Sequence, residues 1–142
     1  MKAILVQCSA VLMIFVAGVW VGKTTSVDAA AKGKVFEIRT YTTNEGKLEA
    51  LHARFRNHTT KIFEKHGMTN IGYWKPVDEP LSKNTLIYIV SHPDREAAKK
   101  AWEGFRKDPE WLKVKQESEL NGVLTAKVDS IYMEATDYSS LK

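Results

Sequence analysis

Glu37, Arg39 and Tyr41 stand at alternate positions in the stretch 35–42. A period of two places them on one face of a strand, with Phe36, Ile38 and Thr40 on the other. An acid, a guanidinium and a phenol in one row can orient a small polar molecule or exchange a proton with it. If the row is enclosed, Arg39 needs a counter-charge, and Glu37 on the same face is available. In the open, the same row is only a solvated face. His58, on the following helix, is the further candidate for proton transfer.

A second concentration lies at Trp102-Glu103-Gly104-Phe105-Arg106-Lys107-Asp108-Pro109-Glu110-Trp111. Two of the chain's four tryptophans fall within these ten residues. Asp caps helix starts and Pro suits the first helical position. One helix should therefore end near Lys107 and another begin at Pro109. That corner would gather Trp102, Phe105 and Trp111, either as a plain hydrophobic lock on a sheet or as the wall of a small-molecule pocket.

Much familiar chemistry is excluded. The sequence holds no G-x-S-x-G, no phosphate-binding glycine loop and no H-E-x-x-H. The helix histidines His52, His58 and His66 are not spaced by four, so no metal site and no cofactor is expected. His66, followed by Gly67, reads as a helix-end residue, and His92 as part of the cap of a later helix. The acid pairs Asp78-Glu79 and Asp108/Glu110 have structural readings, in a loop and at a helix start.

The chain has 142 residues, a net charge of +4 and one cysteine, Cys8. Lys2, an apolar run from Ala3 to Val21 and Ala29-Ala30-Ala31 read as a secretory signal peptide over residues 1–31. The run is long enough to leave an N-terminal membrane anchor as the alternative. The product would be exported, periplasmic or extracellular, or else held at the inner membrane by this segment. Residues 32–142 make one domain without cysteine, so without disulfides or a thiol nucleophile. Its charges are mixed, with no basic run to track phosphates, so nucleic acid is not an expected partner.

Along the domain, the stretch 35–42 reads as a strand. Asn44 can cap a helix whose stripe is Leu48, Leu51, Phe55, Thr59, Ile62 and His66. Strands at 68–75 and 85–91 follow, the first with Gly72 as a possible bulge. Leu86 to Val90 are apolar on both faces, which marks a central strand. The helix carrying Trp102, the helix from Pro109 and a last strand at 126–135 complete the order. Strand, helix, strand, strand, helix, strand is the ferredoxin-like α+β plan, with an extra helix before the last strand. The tail from Thr136 reads as loose. Phe36 and Ile38 suit the helix-packed core, so the Glu37 row is expected on the opposite face, paired against a second copy in a homodimer.

Three stretches carry a family resemblance. Val35-Phe36-Glu37-Ile38-Arg39-Thr40-Tyr41, then Lys65-His66-Gly67-Met68 with Gly72-Tyr73-Trp74, then the run from Ala101 to Trp111, resemble the NIPSNAP family from about Val35 to Ala135. The E-x-R-x-Y and W-x-x-F-x-x-D-P-x-W patterns in this order are its specific part. The resemblance implies a dimeric α+β barrel, in which two ferredoxin-like sheets pack face to face. It transfers no agreed catalytic residue. Eukaryotic members are tied to mitochondria, vesicle traffic and mitophagy signalling, roles that the export-type leader and single domain copy do not favour. Related barrels include cofactor-independent monooxygenases and haem-degrading enzymes, a link of fold only. The expectation is an exported, dimeric domain that binds a small molecule or a partner, with a cofactor-independent monooxygenase-like or isomerase-like enzyme as the alternative. The pocket candidates are Glu37, Arg39, Tyr41, His58, Tyr73, Trp102, Phe105 and Trp111.

Overall fold

The computed structural model describes residues 33–142, so the expected leader at 1–31 lies outside the described residues. Four antiparallel strands form one sheet. They are β1 (Val35–Thr43), β2 (Thr69–Trp74), β3 (Thr85–His92) and β4 (Thr125–Glu134), in the order β2-β3-β1-β4. The helices are α1 (Leu48–Arg54), α2 (Thr60–Lys65), α3 (Arg95–Lys107) and α4 (Pro109–Ser118). This is the α+β, ferredoxin-like plan with its extra helix.

The first helical run does not stay α-helical. A π-helical turn at Phe55–Thr59 joins α1 to α2. Such a turn shifts the backbone pairing by one residue, and the buried Thr59 hydroxyl donates to the Arg54 carbonyl, five residues back, at 3.2 Å. The run ends where expected, at Gly67 with φ +78°, a conformation only glycine adopts freely. Asn44 does not cap it. The Asn44 amide instead donates to the Val123 carbonyl at 2.8 Å and ties that loop to the one before β4.

Asp108 is the hinge that the sequence pattern indicated. It closes α3, and its Oδ1 accepts the Glu110 backbone N–H at 2.8 Å to start α4. The other oxygen, Oδ2, accepts from His66 at 2.7 Å and from Lys65 at 2.8 Å. The corner is thereby locked to the end of α2. Gly104 makes the approach possible, because a Cβ there would lie 2.7 Å from His66 Nδ1.

The helices cover one face of the sheet, and aromatic rings fill the space between. Phe63 meets Trp102 and Phe105 with centroids at 5.3 and 5.0 Å, and Phe105 meets Trp111 at 4.4 Å. The register decides which strand residues share this face. Glu37 pairs with Val90 and Tyr132, Arg39 with Tyr88 and Ser130, and Tyr41 with Leu86 and Val128.

The Glu37 row therefore lies under the helices, which reverses the expected orientation. Phe36, Ile38 and Thr40 face the uncovered side, beside Ile89, Ile87, Ile131 and Met133. Polarity misleads here because α3 supplies a hydrogen-bond partner to the acid, so the polar row can be buried. The tail from Thr136 carries no helix or strand and is mostly exposed. Thr136, Ser139 and Leu141 line a hollow with Phe36, Ile89 and Met133 on the face that no helix covers.

Candidate functional site

Glu37 is fully buried near the middle of the sheet, where an unpartnered carboxylate would be prohibitive. Its partners come from four elements. Arg39 Nη1 donates to Oε1 at 2.7 Å and the Ser130 hydroxyl to the same oxygen at 2.6 Å. The Trp102 indole Nε1 donates to Oε2 at 2.6 Å. His92 Nε2 stands 3.4 Å from Oε2, in ion-pair reach but outside hydrogen-bond geometry. Burial alone would raise the Glu37 pKa, but His92, Ser130, Trp102 and Arg39 together outweigh it and hold it at about 2.

A carboxylate so fully engaged stays ionised near neutrality and is a poor general base. Its effect is on its neighbours. It fixes the indole of Trp102 from below and pins Arg39, whose guanidinium carbon lies 4.3 Å from the Trp102 ring centroid and 5.7 Å from that of Tyr41. Burial works against the charge on Arg39, yet the Tyr88 and Tyr41 phenols and Glu37 leave its pKa above the ordinary arginine value. Arg39 Nε has no partner.

The phenols continue the row away from α3. Tyr88 donates to Tyr41 through their hydroxyls at 3.2 Å and stacks on Tyr73 at 5.3 Å. Burial raises the pKa of Tyr88 and of Tyr73, so both stay protonated. Tyr73 lies on the far side, at a cleft of about 230 Å³ with His52 and Phe55.

The cleft nearest the buried acid lies between α3 and β4. It measures about 310 Å³ and is lined by Arg95, Glu96, Lys99, Trp102, Arg106 and Tyr132. The Trp102 indole bridges the buried cluster and this opening.

Glu37, Arg39, Tyr41 and Trp102 are thus brought together. Phe105 is core beside Trp102, and Trp111 packs on Phe105 with the Arg54 guanidinium 5.1 Å from its ring. His58 is not part of the cluster. It is exposed, in a separate cleft between α1 and α4 with Arg54, Asn57 and Glu117. The reading of the sequence missed His92, Ser130 and Tyr132. His92 is not a cap residue: it ends β3, completely buried, and Asp94 caps α3 instead by accepting the Ala97 N–H at 2.8 Å. The alternation of β4 does put Ser130 and Tyr132 on one face, but only the register sets them beside Glu37. Among the described residues no cluster of His, Cys, Asp or Glu could hold a metal ion.

Residues 36–140 match the family model described as NIPSNAP. No curated protein matches the chain. Among solved structures, the chain is similar to an uncharacterised NIPSNAP-like domain protein from Burkholderia xenovorans, at 17% identity and TM-score 0.66 over 76% of this chain and 90% of that one. It is also similar to a NIPSNAP family protein of unknown function from Agrobacterium tumefaciens, at 20% identity and TM-score 0.67 over 78% and 96%. A more distant likeness, 16% identity and TM-score 0.53 over 76% and 96%, is to SnoaB, a cofactor-independent oxygenase from Streptomyces nogalater. At these identities the likeness is one of fold.

Proposed function

This chain belongs to the NIPSNAP family, and from that premise we propose that it is an exported, homodimeric small-molecule-binding domain whose ligand occupies the cleft between α3 and β4. The observation that carries the reading is the Glu37–Arg39 pair beneath Trp102. A buried ion pair is a weak source of stability, and apolar residues of equal size often serve a core better. Here the pair holds one wall of an open cleft in a single orientation, as a binding site requires.

The uncovered sheet face supports the dimer. Ile131 is 63% exposed and Trp74 50%, and both lie on the side that no helix covers. A second copy with the same surface would bury both at once. Extraction of bound molecules from the purified protein, followed by mass spectrometry, tests the binding role. A ligand-free protein with no thermal shift against a metabolite library overturns it. An N-terminus near Lys32 on protein recovered outside the inner membrane would support export, and intact Met1 in the membrane fraction would establish the anchor instead.

A second reading, a cofactor-independent oxygenase-like or isomerase-like enzyme, is favoured by His92. Both of its ring nitrogens are buried without a hydrogen bond, and Nε2 stands 3.4 Å from the Glu37 carboxylate. An imidazole held beside a carboxylate can exchange a proton with a substrate that reaches it. Turnover of a bound ligand that His92→Gln abolishes without loss of binding would favour the enzyme.

A further inference from the structure

Arg95, Lys99, Trp102 and Arg106 follow one another at steps of four, three and four residues along α3. That spacing aligns them in one stripe along the helix. All four line the cleft against β4, so the stripe faces Tyr132 across the opening. Three cations thus line one space of about 310 Å³, with Glu96 as the one carboxylate in its lining. Glu134 stands in the adjoining hollow with Arg95 and Tyr132.

No ion pair among the described residues uses these three cations. Among the described residues, Arg39, Arg54, Lys65, Lys83, Lys113 and Lys127 are the Lys and Arg side chains in ion pairs with acids. Arg95, Lys99 and Arg106 are absent from that set. Arg95 is nevertheless placed, since its guanidinium carbon lies 3.3 Å from the Tyr132 ring centroid. Such a contact fixes the plane of the guanidinium and leaves its N–H edge available. The negative charge beneath the floor, on Glu37, is already met by Arg39.

We propose that this cleft selects small organic anions, holding a carboxylate or phosphate on the Arg95–Lys99–Arg106 stripe while the rest of the molecule lies along Trp102 and Tyr132. The proposal rests on the binding role assigned above and names its ligand class. The volume exceeds what a bare oxyanion needs and lies at the small end of ligand pockets. Arginine forks match both carboxylate and phosphate, so the group chemistry is shared and the probes must separate the two.

The test follows the Trp102 indole N–H by NMR in the full chain during titration with benzoate, inorganic phosphate and benzyl alcohol, the last being a neutral match for benzoate. Benzoate or phosphate should shift the Trp102 signal saturably, and the tighter of the two identifies the preferred group. Benzyl alcohol should bind at least about tenfold more weakly, as expected when charge-assisted hydrogen bonds are missing. Arg106→Gln and Arg95→Gln should each weaken the anion by about tenfold, with unchanged melting curves. Glu96→Gln should tighten it. Equal binding of benzyl alcohol and benzoate, or full anion binding in both arginine variants, overturns the anion selectivity while leaving the cleft as a binding site. No shift with any probe, in protein from which an extracted ligand also fails to move the Trp102 signal, overturns the site itself.

Discussion

Glu37 shows how one side chain can organise a site without reacting in it. Its folded-state pKa of about 2 lies below the ordinary value of 4.5, so its contribution to stability is fully present above about pH 4.5. That contribution is lost as the pH falls toward 2, when the folded state too must take up the proton. The linked free energy is about 3 kcal/mol. Glu37→Gln removes the charge and leaves Arg39 without its partner in a buried position. The expected loss is about 3 kcal/mol at neutral pH, the usual result of breaking a buried pair from one side. Chemical denaturation at pH 7 and pH 3 checks both statements. The variant should be much less stable than the parent at pH 7, and the gap should narrow at pH 3. An equal gap at both values would show that the carboxylate charge is not what matters.

At the scale of elements, the informative joint is the α2 end against the α3–α4 corner. Asp108 is held below the ordinary carboxylate range by Lys65 first and then by His66. One acid thus caps a helix and ties two elements, so the D-P pair carries more than a turn. Gly104→Ala examines the joint. A glycine-to-alanine change inside a helix ordinarily stabilises by about 1 kcal/mol. Here the new Cβ would meet His66 Nδ1 at 2.7 Å, so the ring must leave Asp108. The expected outcome is no rise in melting temperature and a changed NMR signal for the His66 ring. A variant that melts several degrees higher would refute the account. On the open face Gly72 plays a related part, since a Cβ there would come within 2.6 Å of the Trp74 indole. The bulge near Gly72 was legible as a glycine in a strand, but the ring lying over it was not.

At the scale of the whole molecule, the proposed dimer makes the sharpest prediction. Ile131→Lys alters a side chain that is 63% exposed in the single chain, so the monomer fold should be affected by less than about 0.5 kcal/mol. The same change places a charge on the proposed interface, beside Ile38. Light scattering should find the parent domain as a dimer and the variant as a monomer at micromolar concentration. If both run as monomers, the pairing of open faces is wrong. If both run as dimers, the interface lies elsewhere. Neither result would touch the cleft between α3 and β4, which opens on the helix side.

What the sequence determined by itself was what depends on neighbours along the chain. Alternation in β1, Gly67 at a helix end, Asp108-Pro109 between two helices and the two-sided apolar run of β3 each follow from local geometry, and together they order the ferredoxin-like elements. The family was legible too, because its patterns are short runs of contiguous residues. The orientation of the β1 faces was decided only by tertiary structure. Glu37 reads as lying on the face away from the helices until Trp102, Ser130 and His92, 65, 93 and 55 positions further on, arrive around it. Strand alternation says which residues share a face, but not which face the helices will cover. That choice rests on the partners that long-range packing brings to a buried charge, and no local pattern encodes them.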